Sequence, residues 1–172
     1  MRRLFVAVWP PASLTDQLRG LARPQQTGLR WTTEDQWHVT LRFFGGVEEG
    51  HEADLRARLA DGAGRAGGTV ASAGPRPQAL GRGVWVLPVE GLEALAGGIG
   101  AATFEIGRPL PPRPFRGHVT LARARRPSAL AGLAAEELGD RWTVSEITLV
   151  SSELRAEGAR YQVVGRWPLG AG

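Results

Sequence analysis

The chain has 172 residues and a formal net charge of +4, with 21 basic residues against 17 acidic ones, and every basic residue is arginine. That length supports one folding unit with a real core, or two small lobes sharing one, and excludes two independent large domains. There is no cysteine, which excludes a disulfide framework and a thiolate metal site and fits a cytoplasmic location.

No apolar run approaches the roughly 20 residues that span a bilayer, so no membrane segment is expected. The opening Met1–Pro10 is too short and too quickly broken for a signal peptide and reads as a first strand. A helix is expected from about Ala12 to Ala22, begun by proline or capped by Ser13 and ended by Pro24. A short extended piece around Leu29 to Thr32 precedes a strand from about Trp37 to Phe44, punctuated by Gly45-Gly46. The next helix runs from about Glu49 to Ala63, with His51 at its exposed beginning. No second histidine stands four residues away to make a zinc pair, so His51 is assigned to the surface.

Thr69 to Ala73 and Val84 to Val89 read as strands, and Gly91 to Ala102 as a helix weakened by glycine. Gly81-Arg82-Gly83 and Gly97-Gly98 lack the lysine and hydroxyl of a triphosphate-binding loop and are taken as turns. The proline-rich run Arg108–Pro114 stiffens the approach to a strand around His118. A fourth helix is expected from Pro127-Ser128 to about Leu138, with Leu130, Leu133, Ala134 and Leu138 as its apolar stripe. Two last strands follow, roughly Trp142 to Glu153 and Tyr161 to Leu169. This order of elements suggests an α+β duplication in which antiparallel sheets line a central cleft, with helices outside.

The functional signal is a repeat. His38-Val39-Thr40-Leu41 returns as His118-Val119-Thr120-Leu121, and these two copies hold two of the chain's three histidines. Along a strand, side chains alternate faces, so each copy offers an imidazole and a hydroxyl on one face, roughly 7 Å apart. Two such strands side by side make a four-group cluster. Imidazoles move protons near neutral pH, one as base and one as acid, and threonine hydroxyls donate to phosphate oxygens. That set suits in-line displacement at phosphorus and asks for no metal and no cofactor.

Beyond the repeat, the chain resembles the two-histidine (2H) phosphoesterases, and among them the RNA 2′,3′-cyclic phosphodiesterases, formerly called 2′-5′ RNA ligases. The likeness is carried by Arg3–Val8, by Trp37–Gly45, by Arg113–Arg123, and by Ser152-Glu153-Leu154 with Gly158-Ala159-Arg160-Tyr161. Phe44 stands where leucine is usual, and Gly117 where proline often precedes the second histidine. The resemblance implies a single domain over 1–172 built of two lobes related by a pseudo-twofold, with one motif from each (38–41 and 118–121). It also implies His38 as proton donor and His118 as proton acceptor, opening the ring at the 3′ oxygen to leave a 2′-phosphate. The identical motifs by themselves leave the two roles unassigned. Thr40 and Thr120 are expected to hold the nonbridging oxygens, and the partners to be RNA ends or small nucleotides bearing a cyclic phosphate, met by a monomer.

Arg30, Arg42, Arg113, Arg116, Arg123, Arg125 and Arg126 flank the motifs, and clustered there they would draw in phosphate. Strict alternation puts Arg42 on the face of His38. It puts Arg123 away from His118 unless the strand ends or bulges, although the resemblance implies that Arg123 helps to bind phosphate. Alternation also places Phe43 with Val39 and Leu41. Phe5, Trp31, Trp37, Phe43, Phe44 and Phe115 are assigned to core packing, with stacking of a terminal base as the alternative. Two other functions fit the same residues: ligation of RNA ends through a 2′-5′ bond, the reverse reaction, and a noncatalytic module in which the repeat clamps phosphate.

Overall fold

The computed structural model describes residues 1–156 and 158–170. Its first strand, β1 (Arg2–Val8), is apolar along most of its length because it is covered on both faces. Leu4, Val6 and Val8 enter the main core, while Phe5 and Ala7 join a smaller cluster on the other face with Val150. There follow α1 (Ala12–Arg19), β2 (Leu29–Trp31), β3 (Val39–Val47), α2 (Glu49–Arg65), β4 (Thr69–Ala73), β5 (Gln78–Leu80) and β6 (Val84–Glu90). The chain continues with α3 (Glu93–Ala102), β7 (His118–Ala124), β8 (Asp140–Val144), β9 (Glu146–Arg155) and β10 (Gly158–Pro168).

The architecture is α+β, as expected. The strands form one curled antiparallel sheet in the order β10-β9-β1-β3-β7-β6-β4-β8, with β2 added to β7 and β5 to β6. The motif strands β3 and β7 are neighbours at its centre. One lobe is β10, β9, β1 and β3; the other is β7, β6, β4 and β8. Each lobe draws on both ends of the chain, because the C-terminal strands β9 and β10 complete the lobe begun by β1, and β2 crosses to β7.

Several expectations are corrected. No α-helix forms after β7: Pro127–Leu130 is a single 3-10 turn, and Gly132 adopts φ +78°. That left-handed step breaks the helical path, and the Leu138 N–H donates to Pro75 O at 2.9 Å instead. The stretch expected as one strand from Trp142 to Glu153 is two, β8 and β9. Ser145 alone separates them, and they lie in different lobes. Gly45-Gly46 does not end the first motif strand, which runs on to Val47 through a bulge at Phe44. The first helix stops at Gly20, short of Ala22, and Ser13 does not cap it but donates to Asp140. His51 is exposed at the start of α2, as expected.

Candidate active site

The motif strands pair antiparallel with Val39 opposite Val119. Continuing that register by one residue puts His38 level with Thr120 and Thr40 level with His118. Val39 and Val119 are fully buried in the main core, so both imidazoles and both hydroxyls project from the other face. Two histidines eighty residues apart in the chain thus share one groove, and positive charge on His118 is felt by His38.

Each motif strand bulges at its leucine. Ala7 faces Thr40 and Val6 faces Arg42, which skips Leu41; Val86 faces Thr120 and Trp85 faces Ala122, which skips Leu121. A bulge resets the alternation that follows it. The residue four after each histidine, Arg42 or Ala122, is therefore buried, and the residue five after it returns to the histidine face: Phe43 in the first copy, Arg123 in the second. This corrects Arg42, which alternation had put beside His38. Its guanidinium, on a residue only 4% exposed, donates instead to Gly100 O at 2.8 Å, Thr103 Oγ1 at 2.9 Å and Ile106 O at 2.9 Å. It thereby caps the carbonyls at the end of α3, where a cation suits the helix dipole. Phe43 is corrected too, since it packs with Phe5, Ala7 and Val150 rather than with Val39 and Leu41. Arg123 is exposed, and its charge is felt by both His38 and His118.

Both imidazoles are held alike. His38 Nδ1 lies 2.8 Å from Gln36 O, and His118 Nδ1 lies 2.7 Å from Arg116 O. A carbonyl only accepts, so Nδ1 carries the hydrogen in each ring, and each neutral Nε2 keeps its lone pair. Thr40 Oγ1 sits 3.0 Å from His38 Nε2 and donates to it. Among the described residues, His118 Nε2 has no such partner.

The surroundings of the two rings differ. His38 is packed by Phe5 at 4.8 Å, Tyr161 at 5.1 Å and Trp9 at 5.6 Å between ring centroids. That burial pushes its pKa down to about 4; the bond to Gln36 O opposes the shift, and the charges of His118 and Arg123 add to it. His118 is lowered by burial, with the Arg116 carbonyl opposing and Arg123 and Arg113 adding. Both rings are therefore neutral at pH 7 in the free protein.

Trp9 and Tyr161 were not singled out as site residues in the sequence. Tyr161 fell within the family-like closing pattern, but no local period brings β10 across β9 to β1. Trp31 and Phe115 are partly buried against the main core, while Trp37 and Phe44 lie inside it. The glycine before the second histidine is held by packing: a Cβ on Gly117 would meet Val89 O at 2.3 Å. Among the described residues, no group of three or more His, Cys, Asp or Glu side chains is placed to hold a metal ion.

The model of the LigT-like phosphoesterase family matches residues 8–70, which contain the first motif. An RNA 2′,3′-cyclic phosphodiesterase of Thermus thermophilus is 31% identical over 196 residues, covering 97% of this chain and 90% of that protein. Among solved structures, a Thermus thermophilus protein superposes with a TM-score of 0.81 at 29% identity, with 98% of each chain covered. E. coli LigT complexed with 3′-AMP superposes with a TM-score of 0.78 at 28% identity, again with 98% of each covered. With this identity across nearly its whole length, the chain belongs to the LigT-like phosphoesterases of the 2H superfamily.

Proposed function

We propose that this protein hydrolyses the 2′,3′-cyclic phosphate ends of RNA to 2′-phosphomonoesters, with His38 as proton donor and His118 as proton acceptor. The observation that carries the reading is the pairing of Val39 with Val119, which gathers two imidazoles and two hydroxyls on one face. The name of the Thermus relative and the nucleotide bound by E. coli LigT support the substrate class.

His118 Nε2, neutral at pH 7, takes a proton from water as the water oxygen attacks phosphorus. The bond from phosphorus to the 3′ oxygen breaks, and that oxygen takes its proton from His38. For this, His38 must be charged when substrate is bound. Its low pKa in the free protein works against that, and the anionic phosphate beside Nε2 works for it. Thr40 exchanges its bond to Nε2 for one to a nonbridging oxygen. Thr120 donates to a nonbridging oxygen from the facing strand, and Arg123 balances the growing negative charge. Arg42, buried under α3, takes no part.

The whole chain, 1–172, acts as one domain in this scheme, each lobe supplying one motif, as a cytoplasmic monomer without cofactor. No helix among the described residues is long and apolar enough to cross a membrane.

A defined oligoribonucleotide ending in a 2′,3′-cyclic phosphate tests reaction and regiochemistry together. The expected product carries a 2′-phosphate, and turnover persists in a chelator. A 3′-phosphate product would reverse the assignment of the two histidines. Metal-restorable loss in chelator would overturn the metal-free scheme, and no turnover at all would end the reading.

A further inference from the structure

The histidine-bearing face of the first lobe leads away from the histidines in one direction. Along β1, Arg3, Phe5 and Ala7 alternate onto that face, with Ala7 opposite Thr40. Phe43, brought to the same face by the bulge, lies between two cations: Arg3 Cζ is 4.6 Å from its ring centroid and Arg108 Cζ is 5.6 Å away. Both arginines are exposed. Neither has a carboxylate partner among the described residues, whereas Arg2, the preceding residue, is paired with Glu52 on the opposite face. Two positive groups are thus posted at the end of an aromatic floor, about 13 Å from the level of Thr40 at the rise of a strand.

The other end of that floor has the opposite sign. Beside Trp9 an open recess of about 510 Å³ is rimmed by Asp35 and by Glu34, and although Arg19 pairs with Glu34 and Asp16, the three carboxylates outnumber that one cation. Carboxylates repel a phosphodiester backbone, and guanidiniums attract one. Between the two ends the floor carries no charge: Phe5 is buried beneath it and Phe43 is half-exposed, an apolar surface that an unpaired base can cross.

We propose that Arg3 and Arg108, posed over Phe43, form a second phosphate-binding subsite that receives the upstream backbone of a single-stranded RNA whose cyclic end lies between the histidines. The proposal rests on the hydrolytic reading above and gives it a direction: the strand leaves the reacting phosphate over the first lobe, toward β1, and not toward Trp9. Arg3 stands four residues along β1 from Ala7, the residue opposite Thr40, so the subsite serves strand length rather than the chemical step.

The test compares a 2′,3′-cyclic mononucleotide with an oligoribonucleotide of about six residues bearing the same end, a length that spans the distance to the arginines at about 3.4 Å per stacked nucleotide. In the Arg3→Gln/Arg108→Gln protein, kcat/KM for the oligonucleotide is expected to fall about tenfold, mainly through KM. The mononucleotide should stay within about twofold of wild type, which also reports intact folding. The salt dependence of oligonucleotide binding should flatten by a slope of about 1.4, two phosphate contacts at about 0.7 each. Arg3→Glu alone should weaken the oligonucleotide further at low salt. Equal loss on both substrates, or no loss on either, overturns the subsite. If wild-type protein turns over neither substrate, it is the hydrolytic reading that fails.

Discussion

The two copies of the tetrapeptide began as equals and end in different surroundings. Both place a valine in the core, both bulge at the leucine, and both bind Nδ1 to the carbonyl two residues earlier. Yet His38 is enclosed by three aromatic rings, while His118 makes no such ring contact among the described residues. Five residues on, the first copy offers Phe43 and the second Arg123. Symmetric backbone geometry with asymmetric neighbours is what acid–base chemistry needs, because two proton carriers in identical environments would titrate together.

The comparison breaks most severely if either ring is dispensable. His38→Ala and His118→Ala are each expected to lower turnover of a cyclic phosphate by about 10²- to 10⁴-fold without loss of fold, as read by steady-state kinetics and circular dichroism. Unchanged turnover in either variant would remove the paired-imidazole scheme.

The two arginines should separate cleanly. Arg42→Met leaves the carbonyls of Gly100 and Ile106 without their donor and should cost about 3 kcal/mol of stability in urea denaturation. Arg123→Met should leave stability within about 0.5 kcal/mol and lower kcat/KM by more than about tenfold. If the two variants exchanged these signatures, the bulge at Leu121 would not be placing Arg123 where substrate binds.

Burial of His38 also makes stability depend on pH. Its pKa is near 4 folded and 6.5 in the ordinary state, so the folded protein binds fewer protons. The contribution is therefore whole above about pH 6.5 and is lost as pH falls toward 4, by up to about 3 kcal/mol. Urea midpoints taken across that range should fall, and a His38→Gln variant should fall less. A parallel decline would assign the effect to other groups.

The smallest effects sharpen the picture at single contacts. Thr40→Val and Thr120→Val should each cost about tenfold in kcat/KM, one charge-assisted hydrogen bond apiece. Tyr161→Leu opens one side of the ring cage and should raise the His38 pKa toward its ordinary value in an NMR titration. A value that stayed put would mean that Phe5 and Trp9 suffice to exclude water.

Much of the site was legible because it is written as a repeat. Two HxTx tetrapeptides announced their own faces by alternation, and the pairing of Val39 with Val119 sets the two copies side by side. Two residues beside the motifs were misplaced because alternation was extended too far. A bulge adds one residue that no hydrophobic pattern marks, so Arg42 and Phe43 were put on the wrong faces, while Arg123 reached the right one only through the allowance made for a bulge. The missing fourth helix has a related cause. Leu130, Leu133 and Leu138 carry a helical period, and it was Gly132, in a conformation open to glycine, that set the path.

By itself the sequence determined the α+β class, the strand character of both motifs, the inward valines and the pairing of imidazole with hydroxyl, because these follow from local periods of two residues and from side-chain chemistry. Only the tertiary structure decided that β3 and β7 meet at Val39 and Val119, that β9 and β10 return to finish the first lobe, and that Tyr161 and Trp9 close around His38. Contacts between residues so far apart in the chain are set by how a whole sheet curls and buries its two faces at once, and no window of the sequence contains that information.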